Sequence, residues 1–287
     1  MFRVILLFAL AVVATGQAQA GPAPFAVITL DPYLSQQSAV HATIGGHPGT
    51  FLFDTGEGVS MISPALAAAV GCAPWGNIAG FRMTGDRMDT PHCDGITFTM
   101  AGRDFKAPSV IVFDVMKLLG GDDLPKIDGA IGLDIFAGRA VTIEPNAHRL
   151  IVESPMSLRA RIAGATEVPV RLVRDTEGVA LSVDVGVPTR SGLAWMELDT
   201  GNGGTLVIAN YIAALLGLDA NRKEAQPAKF PLANGISVEG NARVKEGMIM
   251  DGDIGNQFLK HWNLTLDLEH SRAWLAIAPP GAPAKPH

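Results

Sequence analysis

Two Asp-Thr-Gly triplets, Asp54-Thr55-Gly56 and Asp199-Thr200-Gly201, are the residues of this chain best suited to chemistry. Each follows a large apolar residue, Phe53 or Leu198, and burial beside such a residue makes ionisation of a carboxyl costly. A single Asp before Gly is more often a turn residue than a reactive one, because its side chain caps its own turn. Two copies in matching surroundings point elsewhere. If the two turns meet, their carboxyls cannot both ionise cheaply, and the pair holds one proton over a wide pH range. The ionised acid can take a proton from a water lying between them while the protonated acid donates to a carbonyl oxygen. That is general acid–base hydrolysis with no metal and no covalent intermediate. The hydroxyls of Thr55 and Thr200 can lock the turns together, and Gly56 and Gly201 let backbone N–H groups approach the carboxyls closely.

The matching extends well beyond the triplets. Residues 51–71, FLFDTGEGVSMISPALAAAVG, align with residues 196–217, MELDTGNGGTLVIANYIAALLG, with one inserted residue in the second copy. Each reads as an apolar strand, a glycine turn, a short strand and a helix stopped by glycine, the helices covering 64–70 and 209–216. A later block repeats as well: Asp128-Gly129-Ala130-Ile131-Gly132 corresponds to Asp251-Gly252-Asp253-Ile254-Gly255, and Val141–Glu144 to Leu264–Asp267. Hairpins are expected over 40–53 and 179–198, upstream of each Asp. The chain therefore divides into two related halves, 25–153 and 167–277, joined by a connector at 154–166 and followed by a Pro- and Ala-rich tail at 278–287 that reads as disordered. Alternating apolar residues make the halves mostly strand. The expected fold class is all-β, with two pseudo-twofold related β-barrel-like lobes and one short helix per lobe.

The N-terminus carries Arg3, an apolar run from Val4 to Val13 and the small-residue pattern Ala18-Gln19-Ala20. This predicts a signal peptide over residues 1–20, cut after Ala20, and a periplasmic or secreted protein free of the membrane once cleaved. The net charge of −6, without any basic run, argues against a nucleic-acid partner. Two cysteines, Cys72 and Cys93, in an exported protein suggest one disulfide, with two unpaired buried thiols as the alternative. His92 beside Cys93 lacks metal-site spacing, and neither a metal nor a cofactor is expected.

At FDTG (53–56), LDTG (198–201) and the glycine blocks 130–132 and 253–255, the sequence resembles the aspartic peptidases, in particular the retropepsin-like type found in bacterial exported proteins. The resemblance runs from about Val40 to Ile277 and implies the acid-protease fold. It implies Asp54 and Asp199 as the catalytic pair, supported by Thr55, Gly56, Thr200 and Gly201. It also implies a flap hairpin, best placed over Phe81–Thr90 with a turn at Gly85-Asp86, where Phe81, Met83 and Met88 offer apolar contacts. Cys72 and Cys93 bracket that hairpin, and 222–238, turning at Asn234-Gly235, is its counterpart in the second half. The implied activity is endopeptidase cleavage of polypeptide bound as an extended strand, by a monomer in which one chain supplies both halves. Three positions depart from the family pattern. Glu57 and Asn202 stand where Ser, Thr or Ala is usual, and Asp253 stands where an apolar residue is expected. Glu57 either raises the pair's pKa or points to solvent. Asp253 is either a surface variant or a sign of loosened packing. These departures leave a catalytically silent peptide-binding protein on the same fold as the alternative.

Overall fold

The computed structural model describes residues 21–34, 36–120 and 123–280. The expected signal peptide and residues 281–287 of the tail lie outside them. The start of the tail is packed rather than loose: Ala278 is buried, and its N–H donates to the His261 carbonyl at 2.9 Å.

The duplication seen in the sequence governs the architecture. In the first half, strands Ser38–Ile44, His47–Phe53, Gly129–Ile131, Met61–Ile62, Arg103–Val112 and Arg87–Met100 lie side by side in that order. In the second half, Ser182–Thr189, Gly192–Leu198, Gly252–Ile254, Leu206–Ala209, Ile236–Lys245 and Gln226–Ala233 repeat it. The strand senses repeat as well. Phe51–Phe53 runs parallel to Gly129–Ile131, and Met196–Leu198 runs parallel to Gly252–Ile254. A pairing of Thr43 with Thr99 curls the first sheet back on itself. These are the two barrel-like lobes. Their inward faces follow the strand period of two; the alternation of buried and exposed residues along Gln226–Ala233 is an example.

A third sheet joins the halves. It has six strands in the order Ala26–Thr29, Arg149–Val152, Ala140–Glu144, Trp262–Asp267, Arg272–Ile277 and Thr166–Val168, three from each half. At its centre Thr142 pairs with Thr265, and their hydroxyls hydrogen-bond at 3.0 Å. These two threonines occupy the same position in the repeat. A residue that pairs with its own counterpart marks a twofold axis, so the pseudo-twofold relation inferred from the sequence is realised in the packing.

Each lobe carries the helix expected after its Asp-Thr-Gly turn. Pro64–Ala69 opens with proline behind an N-cap in which Ser63 accepts from the Leu66 N–H, and it gives way to Gly71 at φ +75°. Asn210–Ala213 runs on as a 3-10 turn, Ala214–Leu216, and stops at Gly217 at φ +76°. Three further short helices, Met116–Leu119, Pro155–Ile162 and Asn256–Leu259, are additional to the one expected per lobe. The second lies inside the connector and is capped by Ser154. Among the described residues no helix is long and apolar enough to cross a membrane.

Cys72 and Cys93 are bonded, with their Cα atoms 6.3 Å apart. The bridge ties the end of the first-lobe helix to the strand that carries the flap hairpin. That hairpin pairs Trp75–Phe81 with the start of Arg87–Met100. Its tip turns at Met83-Thr84, slightly before the expected Gly85-Asp86, because the Gly85 N–H closes the turn onto the Arg82 carbonyl at 2.8 Å. The counterpart in the second lobe turns at Asn234-Gly235 as expected, with φ +43° and +86° suiting a tight hairpin. Closing a loop of 21 residues stabilises by about 3 kcal/mol. The Cys72→Ser/Cys93→Ser double variant should therefore unfold at a lower denaturant midpoint, with a somewhat steeper slope because the unbridged unfolded chain exposes more surface. Equal midpoints would show that the bridge adds nothing.

Candidate active site

Each Asp-Thr-Gly turn is held from below by the later glycine block of its own lobe. The Asp54 N–H donates to the Ile131 carbonyl at 3.0 Å, and the Asp199 N–H to the Ile254 carbonyl at 3.1 Å. The blocks need glycine to come this close. A Cβ on Gly129 would lie 2.9 Å from the carbonyl carbon of Met61, and one on Gly255 would lie 2.5 Å from the Asn202 carbonyl oxygen.

The two turns are locked to each other. Thr55 Oγ1 donates to the Leu198 carbonyl at 2.5 Å and accepts from the Thr200 N–H at 3.0 Å. Thr200 Oγ1 donates to the Phe53 carbonyl at 3.2 Å and accepts from the Thr55 N–H at 3.0 Å. Both threonines are buried. The lock brings the acids together, close enough for the charge of Asp199 to raise Asp54. Each also packs on the glycine of the opposite turn: a Cβ on Gly56 would fall 2.7 Å from Asp199 Cγ, and one on Gly201 would fall 2.3 Å from Asp54 Cγ. Asp54 Oδ1 accepts from the Gly56 N–H at 2.9 Å. Asp199 Oδ1 accepts from two, Gly201 at 2.6 Å and Asn202 at 3.1 Å.

Further carboxyls surround the pair. Asp253 is wholly buried, so it is not a surface variant. Its Oδ1 accepts from Asn202 Nδ2 at 3.2 Å, and its Oδ2 has no hydrogen-bond partner among the described residues. Glu57 is half-buried and turned toward the acids rather than away from them. Two acids that the sequence reading passed over complete the group. Glu197 lies on the strand Gly192–Leu198 two residues before Asp199, and the strand period puts both on one face. Its counterpart in the repeat is Leu52, so a glutamate in an otherwise apolar strand was the available signal. Asp134 is buried and accepts from Ser60, from the N–H at 3.0 Å and the hydroxyl at 2.6 Å. Asn256 and Gln37 were also missed. Their amides donate to the carbonyls of Thr200, at 2.6 Å, and Gly201 respectively, steadying the second turn.

Burial and mutual repulsion raise these acids together. Asp54 is held well above the usual carboxylate range by burial, then by the charges of Asp199 and Glu57. Burial does the same for Glu57, followed by Asp134, Asp199 and Glu197. Glu197 is pushed up to about 8 by burial and then by Asp199. Asp134 is pushed to about 6 by burial, against the hydrogen bonds from Ser60. Asp253 is raised well above its ordinary value by burial and then by Asp199. Among the described residues no group of three or more His, Cys, Asp or Glu side chains has the arrangement of a metal site.

The flap hairpin reaches across to the second lobe. The Met83 carbonyl accepts from the Ile249 N–H at 3.0 Å, and Gly85 lies against the Ile249 side chain. Phe81 is exposed, whereas Met83 and Met88 are half-buried.

Comparisons with known proteins agree with this geometry. A family model described as "Aspartyl protease" matches residues 40–135, about a third of the chain, including Asp54 and the block at Gly129–Gly132. The first lobe is similar to the aspartyl protease family. Basic 7S globulin from soybean superposes with a TM-score of 0.55 at 9% identity, covering 88% of this chain and 95% of the globulin. Conglutin gamma, a basic 7S globulin from lupine seeds, does so with a TM-score of 0.55 at 11% identity, covering 90% and 96%. At such identities the likeness concerns the fold, and it spans both lobes. The architecture is the acid-protease fold. Comparison with curated proteins gives no match.

The raised acids fix how stability depends on pH. A carboxyl whose folded pKa exceeds its unfolded value binds more protons folded than unfolded, so stability falls as pH rises between the two values. For Glu197 that window runs from about 4.3 to about 8, and for Asp134 from about 3.9 to about 6. The protein should melt at a higher temperature near pH 5 than near pH 8, the loss being on the order of a few kcal/mol. A flat profile over that range would contradict the burial of these acids. Thr200→Ala removes a buried hydroxyl with two partners and should cost about 1–3 kcal/mol in chemical denaturation.

Proposed function

We propose that this chain is an aspartic-type endopeptidase, with Asp54 and Asp199 as its catalytic pair. One observation carries the reading: two carboxyls from symmetry-related turns meet at the lobe interface, each packed on the glycine of the opposite turn, on a scaffold of buried threonine bonds. Such a pair holds a single proton, because two like charges in contact are costly. The ionised acid takes a proton from the attacking water, and the other donates to the carbonyl oxygen of the scissile peptide. The backbone N–H groups of Gly56 and Gly201 fix both carboxyls during the exchange. The hairpin crossing to Ile249 supplies the roof beneath which an extended polypeptide would lie, acting as a monomer without cofactor. The aspartyl-protease likeness of residues 40–135 supports the same reading. The proposal includes export to the periplasm or medium, supported by the leader-like N-terminus and by the disulfide.

A second reading rests on the crowding of acids. If Glu57, Glu197 and Asp253 hold both members of the pair protonated, the protein binds peptide without cleaving it. Incubation with an unfolded protein across pH 3–8 separates the two. The parent should cleave it and be inhibited by a pepstatin-type compound, with activity extending toward neutral pH because Asp54 keeps its proton above the usual carboxylate range. Asp54→Asn and Asp199→Asn should each lose at least about a hundredfold in kcat/KM while melting cooperatively. Unchanged cleavage by both variants would end the peptidase reading, and peptide binding without turnover in the parent would favour the silent one.

A further inference from the structure

The first Asp-Thr-Gly turn is fastened at both ends, and its far end is fastened to a buried acid. The loop 54–60 meets the glycine block of its own lobe twice. At its start the Asp54 N–H donates to the Ile131 carbonyl at 3.0 Å. At its end the Ser60 hydroxyl oxygen accepts from the Gly132 N–H at 3.0 Å, one residue further along the block. Ser60 is wholly buried, and Asp134 grips it twice: Oδ2 accepts from the Ser60 N–H at 3.0 Å, and Oδ1 from the hydroxyl at 2.6 Å. The hydroxyl is thus engaged both as acceptor, from Gly132, and as donor, to Asp134. Asp134 meets only donors on Ser60, the pattern of an ionised carboxylate. From the turn, Glu57 faces it: a Cβ on Gly132 would lie 3.0 Å from Asp134 Oδ1 and 3.7 Å from Glu57 Cβ. The strand Arg103–Val112 packs on the Asp134–Phe136 turn through Phe105 and Phe136, and its charged residues Arg103, Asp104 and Lys106 are exposed. Arg139, just beyond the turn, stacks over Phe25. Among the described residues no salt bridge reaches Asp134. In the second lobe the corresponding residues are Thr205 and Gln257. There the Asn202 amide, which does not titrate, donates to the Thr205 carbonyl at 3.1 Å, and Gln257 lies toward Gly240.

We propose that Asp134 is a positioning residue for Asp54: its ionised carboxyl clamps Ser60 and so seats the first Asp-Thr-Gly turn, and protonation of that carboxyl loosens the seat. The kinetic consequence rests on the peptidase reading, whereas the clamp itself does not. A neutral carboxyl must donate as well as accept, and both groups that Ser60 presents to it are donors. If the Ser60 hydroxyl reversed to accept from Asp134, its own hydrogen would lose its acceptor. One buried bond is lost either way. Burial places this change near pH 6, inside the range in which a peptidase could work. The relief of a buried charge outweighs the lost bond, so the fold as a whole gains stability on the acid side while the turn loses its clamp.

The test follows the parent and Asp134→Asn by nuclear magnetic resonance across pH 4–8, and then by kinetics. In the parent the Asp134 carboxyl carbon and the Ser60 amide proton should titrate together with a midpoint near pH 6, and the Asp54 amide should show a step at the same midpoint. The shared midpoint identifies the group without any variant. In Asp134→Asn, whose side chain resembles the protonated acid in keeping one acceptor, the steps at Ser60 and Asp54 should vanish. A Ser60 amide that does not follow Asp134 overturns the proposal, as does an Asp54 amide that stays fixed while Ser60 titrates. Kinetically, kcat of the parent should fall about tenfold on the acid side of that midpoint, the effect of a misplaced reacting group, with KM little changed. Asp134→Asn should show the acid-side kcat throughout, without the step. A variant that loses activity equally at every pH and keeps the step would reduce Asp134 to a structural role and refute the positioning. If the parent cleaves nothing at any pH while Asp134, Ser60 and Asp54 titrate together, the peptidase reading fails and the clamp on Asp54 stands.

Discussion

Four hydrogen bonds made by Thr55 and Thr200 across the lobe interface carry the rest of this structure. Each hydroxyl bonds to the backbone of the opposite lobe, and every group involved is removed from water, where an unmade bond is expensive. Serine would offer the same oxygen, but the threonine methyl also fills the interface. The lock fixes the lobes to within a hydrogen-bond length, and it does so at the one place where both carboxyls emerge. Neither lobe holds a finished site.

Bringing the acids together has an electrostatic cost that local design distributes rather than removes. Few cations neutralise the group; burial and like charges instead raise Asp54, Glu57, Glu197 and Asp253. Backbone N–H groups converge on both carboxyls, and the second turn offers more of them than the first. The duplication built two similar turns, and a handful of substitutions made them unequal. Where the repeat is faithful, at Thr55 and Thr200 or Thr142 and Thr265, it builds the axis. Where it diverges, at Glu57 and Asn202 or Ala130 and Asp253, it sets the chemistry.

The lobes and the paired Asp-Thr-Gly turns were legible because the repeat doubles every local signal. A glycine turn after an apolar strand is weak evidence once and strong evidence twice. The six-stranded sheet between the lobes was not legible, since Ala26–Thr29 and Arg149–Val152 carry no mark of being partners more than a hundred residues apart. Glu197 and Asp134 were hidden for a different reason. An acid in a strand, such as Glu197, or in a short turn of helix, such as Asp134, reads as solvent-facing, and only the fold shows that it is buried. Asp253 was noticed as an anomaly with two readings, and its burial removes one of them, the surface variant. The connector helix Pro155–Ile162 was not expected, since its only apolar residues are Met156, Leu158, Ala160 and Ile162, which alternate rather than follow a helical period.

The six-stranded sheet has a consequence for how the molecule comes into being. Its central pairing joins Ala140–Glu144 to Trp262–Asp267, and the latter strand is among the last parts of the chain to be made. A polypeptide emerging from its N-terminus can complete the first lobe's own sheet, but it leaves the edge at Ala140–Glu144 open until the C-terminal strands arrive. The second carboxyl is likewise absent until then. The two Asp-Thr-Gly turns are therefore brought together late, by long-range closure rather than local folding.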